Sequence, residues 1–247
     1  MQHRIAVATR TRYTDQTDVR YGLVMRMLTM LNFHQYPAVL VDNSPPNIHE
    51  VFRKCGDNIF VLDTNESETM GMKLRRSITM ALQLAGDKGA VAYVDPEKFP
   101  MVPYLPRLCA PILNGEADIV IGERESLDSY PPIQQWFERI GNTFFGAYTG
   151  LACDAWFGVR AFNAKGAAPF LDYDGAYGDQ WDSAFTPLVR AIAQGLKIIT
   201  VKVPYAHPAM QTGAEEHDVH MHEKRRTQLN TLVEMLAKEA QRLGLPR

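Results

Sequence analysis

Cysteine is scarce in this sequence: Cys55, Cys109 and Cys153 are the only three in 247 residues. They form no CxxC pair and are too few for a disulfide framework, so a reducing, cytoplasmic compartment is expected. No apolar run approaches the ~20 residues of a spanning helix. The first segment, MQHRIAVATRTRYTD, holds one short apolar run broken by Arg10 and Arg12, too short for a signal-peptide core. The expectation is a soluble protein without a membrane anchor. Charge of one sign is lacking too, since 26 Lys plus Arg against 28 Asp plus Glu leave −2. A nucleic-acid binder needs a basic excess and is disfavoured, although a local basic patch for one small anion stays open. Also missing are GxxxxGK[ST], a GxGxxG after the first strand, and a GxSxG elbow. A P-loop ATPase and a standard dinucleotide-binding dehydrogenase are therefore poor readings.

What is present alternates between two periodicities. Ile5 to Thr9 is a short apolar run that reads as a strand, and residues 16–34 carry Leu23, Val24, Met27, Leu28 and Leu31 at helical spacing. A second strand, 38–41, stops at Asp42-Asn-Ser-Pro-Pro46. A short helix (47–54), a strand (58–63), an amphipathic helix (70–85) and a strand (89–94) halted by Asp95-Pro96 continue the series. The second half reads as helices at 105–114, 131–148 and 181–194, and strands at 117–121, 156–162 and 197–203. A last helix has Leu229, Leu232, Val233, Leu236 and Ala240 on one stripe. This pattern predicts an α/β fold with a mostly parallel central sheet covered by helices on both faces. One domain over 1–247 is expected, with a mobile, His-rich loop at 206–222 and a C-terminal helix at 223–243. That helix packs either on its own domain or on a second subunit in a homodimer.

Open parallel sheets bind ligands at the carboxyl ends of their strands. There the sequence places Thr9-Arg10-Thr11, Asp42, Asp63, Asp95-Pro96-Glu97-Lys98 and Glu123-Arg124. A single Asp in a turn is ordinary, but acids at four consecutive strand ends call for a cation to offset them. With no phosphate-cradling loop, a divalent metal on carboxylates is the simplest way to hold phosphates.

These stretches resemble the GT-A-fold glycosyltransferases, especially the family-2-like enzymes and the mannosylglycerate and glucosylphosphoglycerate synthases. VLVDNSPP at 39–46 is similar to that family's "VVDDGS" segment, and MKLRRSITMAL at 72–82 occupies the place of its "GKG" helix. AVAYVDPEKFP at 90–100 resembles the strand ending in a metal-binding DxD, and ILNGEADIVIGER at 112–124 resembles "g.aDvViGsR". DAWFGVRAFNAKGAAPFL at 154–171 and FTPLVRAIAQGLKIITVKVPY at 185–205 extend the likeness to about residue 210. Three departures stand out: Asp95-Pro96-Glu97 replaces DxD, Asn43 replaces a second Asp, and Met72 and Leu74 flank Lys73 where the family has glycines. The resemblance implies transfer of a sugar from a UDP- or GDP-linked donor to a hydroxyl of a small soluble acceptor, such as glycerate or phosphoglycerate. It implies Mg²⁺ or Mn²⁺ as the cofactor.

Roles follow in outline. Asp95 is the first candidate metal ligand, with Glu97 either binding the metal through water or touching the sugar hydroxyls; the alternative is that Asp95 caps the next helix. The resemblance implies His207, in Pro204-Tyr-Ala-His-Pro208, as a further ligand. A zinc site on His217, His220 and His222 is a weaker alternative, because no cysteine lies near. Thr9, Arg10, Asp42 and Asp63 are expected beside the nucleotide base or ribose. Lys73 and Arg76 either reach a diphosphate or form an exposed basic helix face. The resemblance places Asp154, Trp156, Gly158 and Arg160 around the sugar or acceptor. Asp182, or Asp179, is the candidate for orienting or deprotonating the acceptor hydroxyl. Two rivals are a sugar-nucleotide nucleotidyltransferase, whose Gly-rich loop is missing after the first strand, and a degenerate member that binds nucleotide or a protein partner without turnover.

Overall fold

The computed structural model describes residues 4–65 and 67–245. Along the chain run β1 (Ile5–Thr11), α1 (Val19–Phe33), β2 (Ala38–Asp42), α2 (Pro46–Arg53), β3 (Ile59–Asp63), α3 (Met70–Ala85), β4 (Ala90–Tyr93), α4 (Leu105–Leu113) and β5 (Ile119–Arg124). Then follow α5 (Pro132–Thr149), β6 (Arg160–Phe162), α6 (Ala164–Leu171), α7 (Asp182–Ala193), β7 (Ile198–Val203), α8 (Ala209–Glu215) and α9 (Val219–Leu243). Seven strands form one sheet in the order β3-β2-β1-β4-β6-β5-β7, parallel except for β6.

The apolar strands are buried on both faces because their side chains alternate between two cores. Val7, Leu40 and Ala92 point to the core closed by α1, α2 and α4. Ala6, Val39, Val91 and Ile121 point to the other, closed by α3, α5, α6, α7 and α9. Burying one such Leu or Ile stabilises the fold by about 1.5–3 kcal/mol. The stripe on α9 is used within the chain: Leu229, Leu232 and Leu236 sink into the second core.

Two features place the functional cleft. The sheet turns outward in both directions from the β1–β4 pair, and such a switch point opens a crevice at the carboxyl ends of the strands. In addition, β6 runs antiparallel between β4 and β5, with Arg160 level with both Tyr93 and Ile121. The chain entering β6, from Asp154 to Val159, is therefore delivered to the carboxyl ends of its neighbours.

The structure corrects three expectations. The strand read at 156–162 is only β6, preceded by a 3₁₀ turn over Ala155–Phe157. The segment read as a loop, 206–222, contains α8, and the last helix starts at Val219 because the Asp218 carboxylate accepts from the backbone N–H of His220 at 2.9 Å. Helix α6 was hidden by Gly166 and Pro169. Gly166 is needed where it is, since a Cβ there would meet the Asp118 carbonyl oxygen at 1.9 Å.

Candidate active site

Two cavities meet in the crevice. An outer groove of about 610 Å³ runs past Arg12, Tyr13 and Lys73 at the ends of β1 and the start of α3. An inner chamber of about 140 Å³ lies under α8 and α9, walled by Trp156, Phe157, Tyr205 and His207. Arg10, Arg20, Asp95, Glu97, Trp181 and Lys224 line both. The Asp95–Glu97 turn is thus the shelf between them.

Asp95 sits two residues past the end of β4. Tyr93 donates its hydroxyl to Oδ1 at 3.2 Å, and the Lys98 ammonium is bonded to Oδ2. Burial alone would raise the Asp95 pKa, but Lys98 and then Arg10 outweigh it and hold the carboxyl below its ordinary range. Asp95 in turn, with Glu97, keeps the Lys98 ammonium above its ordinary value despite burial. Gly158 lies against this pair at φ +79°, a backbone conformation suited to glycine. Trp156 packs on Phe185 and borders the chamber.

The outer groove is strongly basic. Arg10 is fixed by donating to the Met70 carbonyl at 3.1 Å, at the start of α3. Burial, with Arg12 and Arg10 nearby, pushes the Lys73 ammonium below its ordinary value. No carboxylate among the described residues pairs with Lys73 or Arg12 at ion-pair distance, so these cations are free to meet an anion.

Other sequence candidates are brought near the cleft but not into it. Thr9 is buried beneath the strand ends. Asp42 is fully buried, with Oδ1 accepting from Thr11 Oγ1 at 2.6 Å and Ser44 Oγ at 2.8 Å. His49 bridges Asp42 and Asp63 at 2.9 Å from each, and Arg53 donates to Asp63 at 2.6 Å. Arg76 is engaged by Glu68. Asp179 accepts a bidentate pair from Arg75 at 2.8 Å. Asp182 accepts from the Tyr173 hydroxyl at 2.5 Å and from the backbone N–H groups of Asp179 and Gln180. Both acids brace the loop that presents Gln180 and Trp181. Asp154 forms a bidentate pair with Arg124, which also reaches Glu138 at 2.8 Å. Arg160 is buried with no carboxylate partner among the described residues, donating to the carbonyls of Ala184 and Ala155, and burial lowers its pKa to about 10.

The sequence places Lys98 and Arg124 at the ligand-binding strand ends without giving them a role, and it does not point to Glu215 or Trp181 as cleft residues. Lys98 was legible, three residues after Asp95 in Asp-Pro-Glu-Lys. Glu215 was not, because α8 had been read as loop.

For the divalent ion, the donor set is of the right kind. Among the described residues, no three His, Cys, Asp or Glu side chains are grouped closely enough to hold a metal as they stand. Yet both ring nitrogens of His207 are buried without a hydrogen-bond partner, in the chamber that Asp95 and Glu97 also line. Its Nε2 lies 3.7 Å from Glu215, beyond hydrogen-bond reach. An imidazole with no hydrogen-bond partner in a chamber that two carboxylates also line is a donor set of the kind that suits Mn²⁺, and the carboxylates suit Mg²⁺. Among the described residues, His217, His220 and His222 form no group that could hold zinc. No described helix is long and apolar enough to cross a membrane.

No family model matches the sequence, and no curated protein matches it. Solved structures do. The glucosyl-3-phosphoglycerate synthase of M. tuberculosis is 15% identical, with 99% of this chain and 82% of that one covered at a TM-score of 0.61. A structure of glucosyl-3-phosphoglycerate synthase from Mycobacterium tuberculosis in complex with Mn²⁺, UDP-glucose and phosphoglyceric acid is 16% identical, covering 99% and 81% at 0.55. The mannosyl-3-phosphoglycerate synthase of Rubrobacter xylanophilus is 14% identical, covering 97% and 74% at 0.61. Over nearly its whole length, then, this chain has the GT-A glycosyltransferase fold.

Proposed function

We propose that this protein is a glycosyltransferase that moves a hexosyl group from a nucleoside-diphosphate sugar to a hydroxyl of a small anionic acceptor of the phosphoglycerate type. The observation that carries the reading is the pair of cavities meeting at the Asp95–Glu97 shelf. One is wide and basic, the other smaller and walled by aromatic rings. The neighbour solved in complex with Mn²⁺, UDP-glucose and phosphoglyceric acid supports a nucleotide-sugar donor and a small anionic acceptor.

In this reading the nucleotide lies in the outer groove. Lys73, Arg12 and Arg10 meet the diphosphate, where charge grows as the glycosidic bond breaks. The sugar crosses the shelf between Trp181 and the Asp95 turn, and Gly158 leaves room for it. The acceptor occupies the inner chamber, where Arg225 and Lys224 offer positive charge. Glu97 lines both cavities and has no hydrogen-bond partner among the described residues, so it is placed to accept the hydrogen bond of the attacking hydroxyl. Asp179 and Asp182 act as positioning residues for Trp181. Asp95, Glu97 and His207 would hold the divalent ion, which when bound supplies charge neutralisation to the leaving diphosphate. Helices α8 and α9 roof the inner chamber and exclude water that would otherwise compete as acceptor.

The test is to incubate the protein with Mn²⁺, 3-phosphoglycerate and either UDP-glucose or GDP-mannose, and to weigh the products. A glycosylated acceptor supports the proposal. Binding of neither donor, and no product from either, overturns it.

A further inference from the structure

We propose that Lys98 is a resident counter-cation, which holds Asp95 until a divalent ion arrives together with a diphosphate and thereby makes ion binding depend on the nucleotide. The inference rests on the reading of the cleft as a nucleotide-sugar site.

The contact is built by the local chain. Pro96 stiffens the turn after Asp95, and the Lys98 backbone N–H donates to the Asp95 carbonyl at 2.9 Å. This returns the Lys98 side chain to the carboxylate three residues earlier. Its ammonium is largely shielded, at 14% side-chain exposure, and rests 5.5 Å from the Phe157 ring centre. Each Asp95 oxygen therefore accepts one hydrogen bond, one from Tyr93 and the other from Lys98. A Cβ at Gly158 would stand 3.4 Å from Asp95 Oδ2 and 4.0 Å from Lys98 Nζ, so glycine keeps this corner open.

An ion that binds Asp95 meets this ammonium at close range, and the repulsion between them drives Lys98 off the carboxylate. Alone, it must also enter a cleft where Arg10, Lys224 and Arg225 have no carboxylate partner at ion-pair distance among the described residues, and their like charge opposes it. A diphosphate reverses both terms. Its oxygens offset the cations, and they give the displaced Lys98 a new acceptor. Among the described residues Asp95 is the one hydrogen-bond acceptor of Lys98 Nζ, so no other bond has to break. Lys98 thus has two posts: on Asp95 in the free protein, and on the diphosphate in the complex.

The experiment follows free Mn²⁺ by electron paramagnetic resonance as the full-length protein is titrated, with and without UDP. It compares wild type with Lys98→Met, which removes the charge and keeps the stem. Lys98→Gln, which keeps a hydrogen bond to Asp95, guards against misfolding of the first variant, and circular dichroism checks both. Wild type is expected to bind Mn²⁺ weakly alone and about tenfold or more tightly with UDP, a factor typical of relieving one charge contact. Either folded variant is expected to bind Mn²⁺ alone about tenfold more tightly than wild type and to gain less from UDP. Unchanged or weaker Mn²⁺ binding by both variants, with UDP still bound by wild type, overturns the role of Lys98 and leaves the functional reading standing. Failure of wild type to bind UDP, with or without Mn²⁺, overturns both.

Discussion

The two cavities share six residues but differ in how their charges are settled. In the inner chamber two cations are paired with carboxylates: Arg124 with Asp154 and Glu138, and Lys98 with Asp95. In the outer groove Lys73 and Arg12 have no carboxylate partner among the described residues, and Lys73 is held below its ordinary pKa by burial and its cationic neighbours. A paired site is rigid before the ligand arrives. An unpaired cluster of like charge is relieved when an anion arrives. Under the proposed function, the contrast favours the diphosphate in the groove and the alignment of the reacting atoms in the chamber.

The strongest way to break this contrast is to remove the shared shelf. Asp95→Ala should lower the transfer rate by about 10³-fold or more, the usual scale for losing a main electrostatic contact at a reacting centre. A rate assay on the best donor checks this, and a variant of near-normal rate would mean that the shelf is not the reacting centre. Next comes the chamber's frame. Arg124→Met leaves Asp154 and Glu138 buried without their cation and should cost about 3–4 kcal/mol in urea unfolding. A loss below about 1 kcal/mol, the scale of a surface pair, would show that the chamber is not held by that triad.

A third prediction concerns the helices behind the chamber. Glu239 on α9 is fully buried and receives Tyr177 Oη at 2.9 Å, Arg190 Nε at 2.7 Å and an Arg242 nitrogen at 2.6 Å. Burial by itself raises its pKa, but Arg242, Arg190 and Tyr177 bring it down to about 2. The folded value lies below the unfolded one. Its contribution, on the order of 2 kcal/mol, is therefore whole above about pH 4.3 and is lost as the pH falls toward 2. Glu239→Gln should flatten that part of the stability–pH curve, and an unchanged slope would remove Glu239 from the account. The smallest effect is expected at Trp181, which borders both cavities. Trp181→Ala should raise KM for donor and acceptor several-fold each, about 1 kcal/mol of lost aromatic contact. A change in one KM alone would mean that Trp181 serves a single cavity.

The sequence shows the first half of the sheet well because β1, β2 and β4 are continuous apolar runs and α1 and α3 repeat at helical spacing. Asp95 was legible for the same reason: a buried strand ends there, and a proline follows. The use of Asp42 was not, since its partners Thr11 and His49 come from other elements. Asp182 looked like a base but is spent on Tyr173 and two backbone N–H groups, which only the folded loop reveals. The antiparallel β6 spans three residues, too few to carry a period, yet it sets Trp156 and Gly158 beside Asp95. Glu215 and the roof were hidden because α8 is a seven-residue helix containing glycine.

The central claim is that the basic groove takes a nucleoside diphosphate. Isothermal titration of UDP-glucose and of GDP-mannose into the protein with Mn²⁺ tests it most directly, comparing wild type with Lys73→Ala and Arg12→Ala. The account predicts one site per chain for one of the two donors, weakened about tenfold by each substitution and weakened further by salt. No heat from either donor, or an affinity that both substitutions leave unchanged, would contradict it.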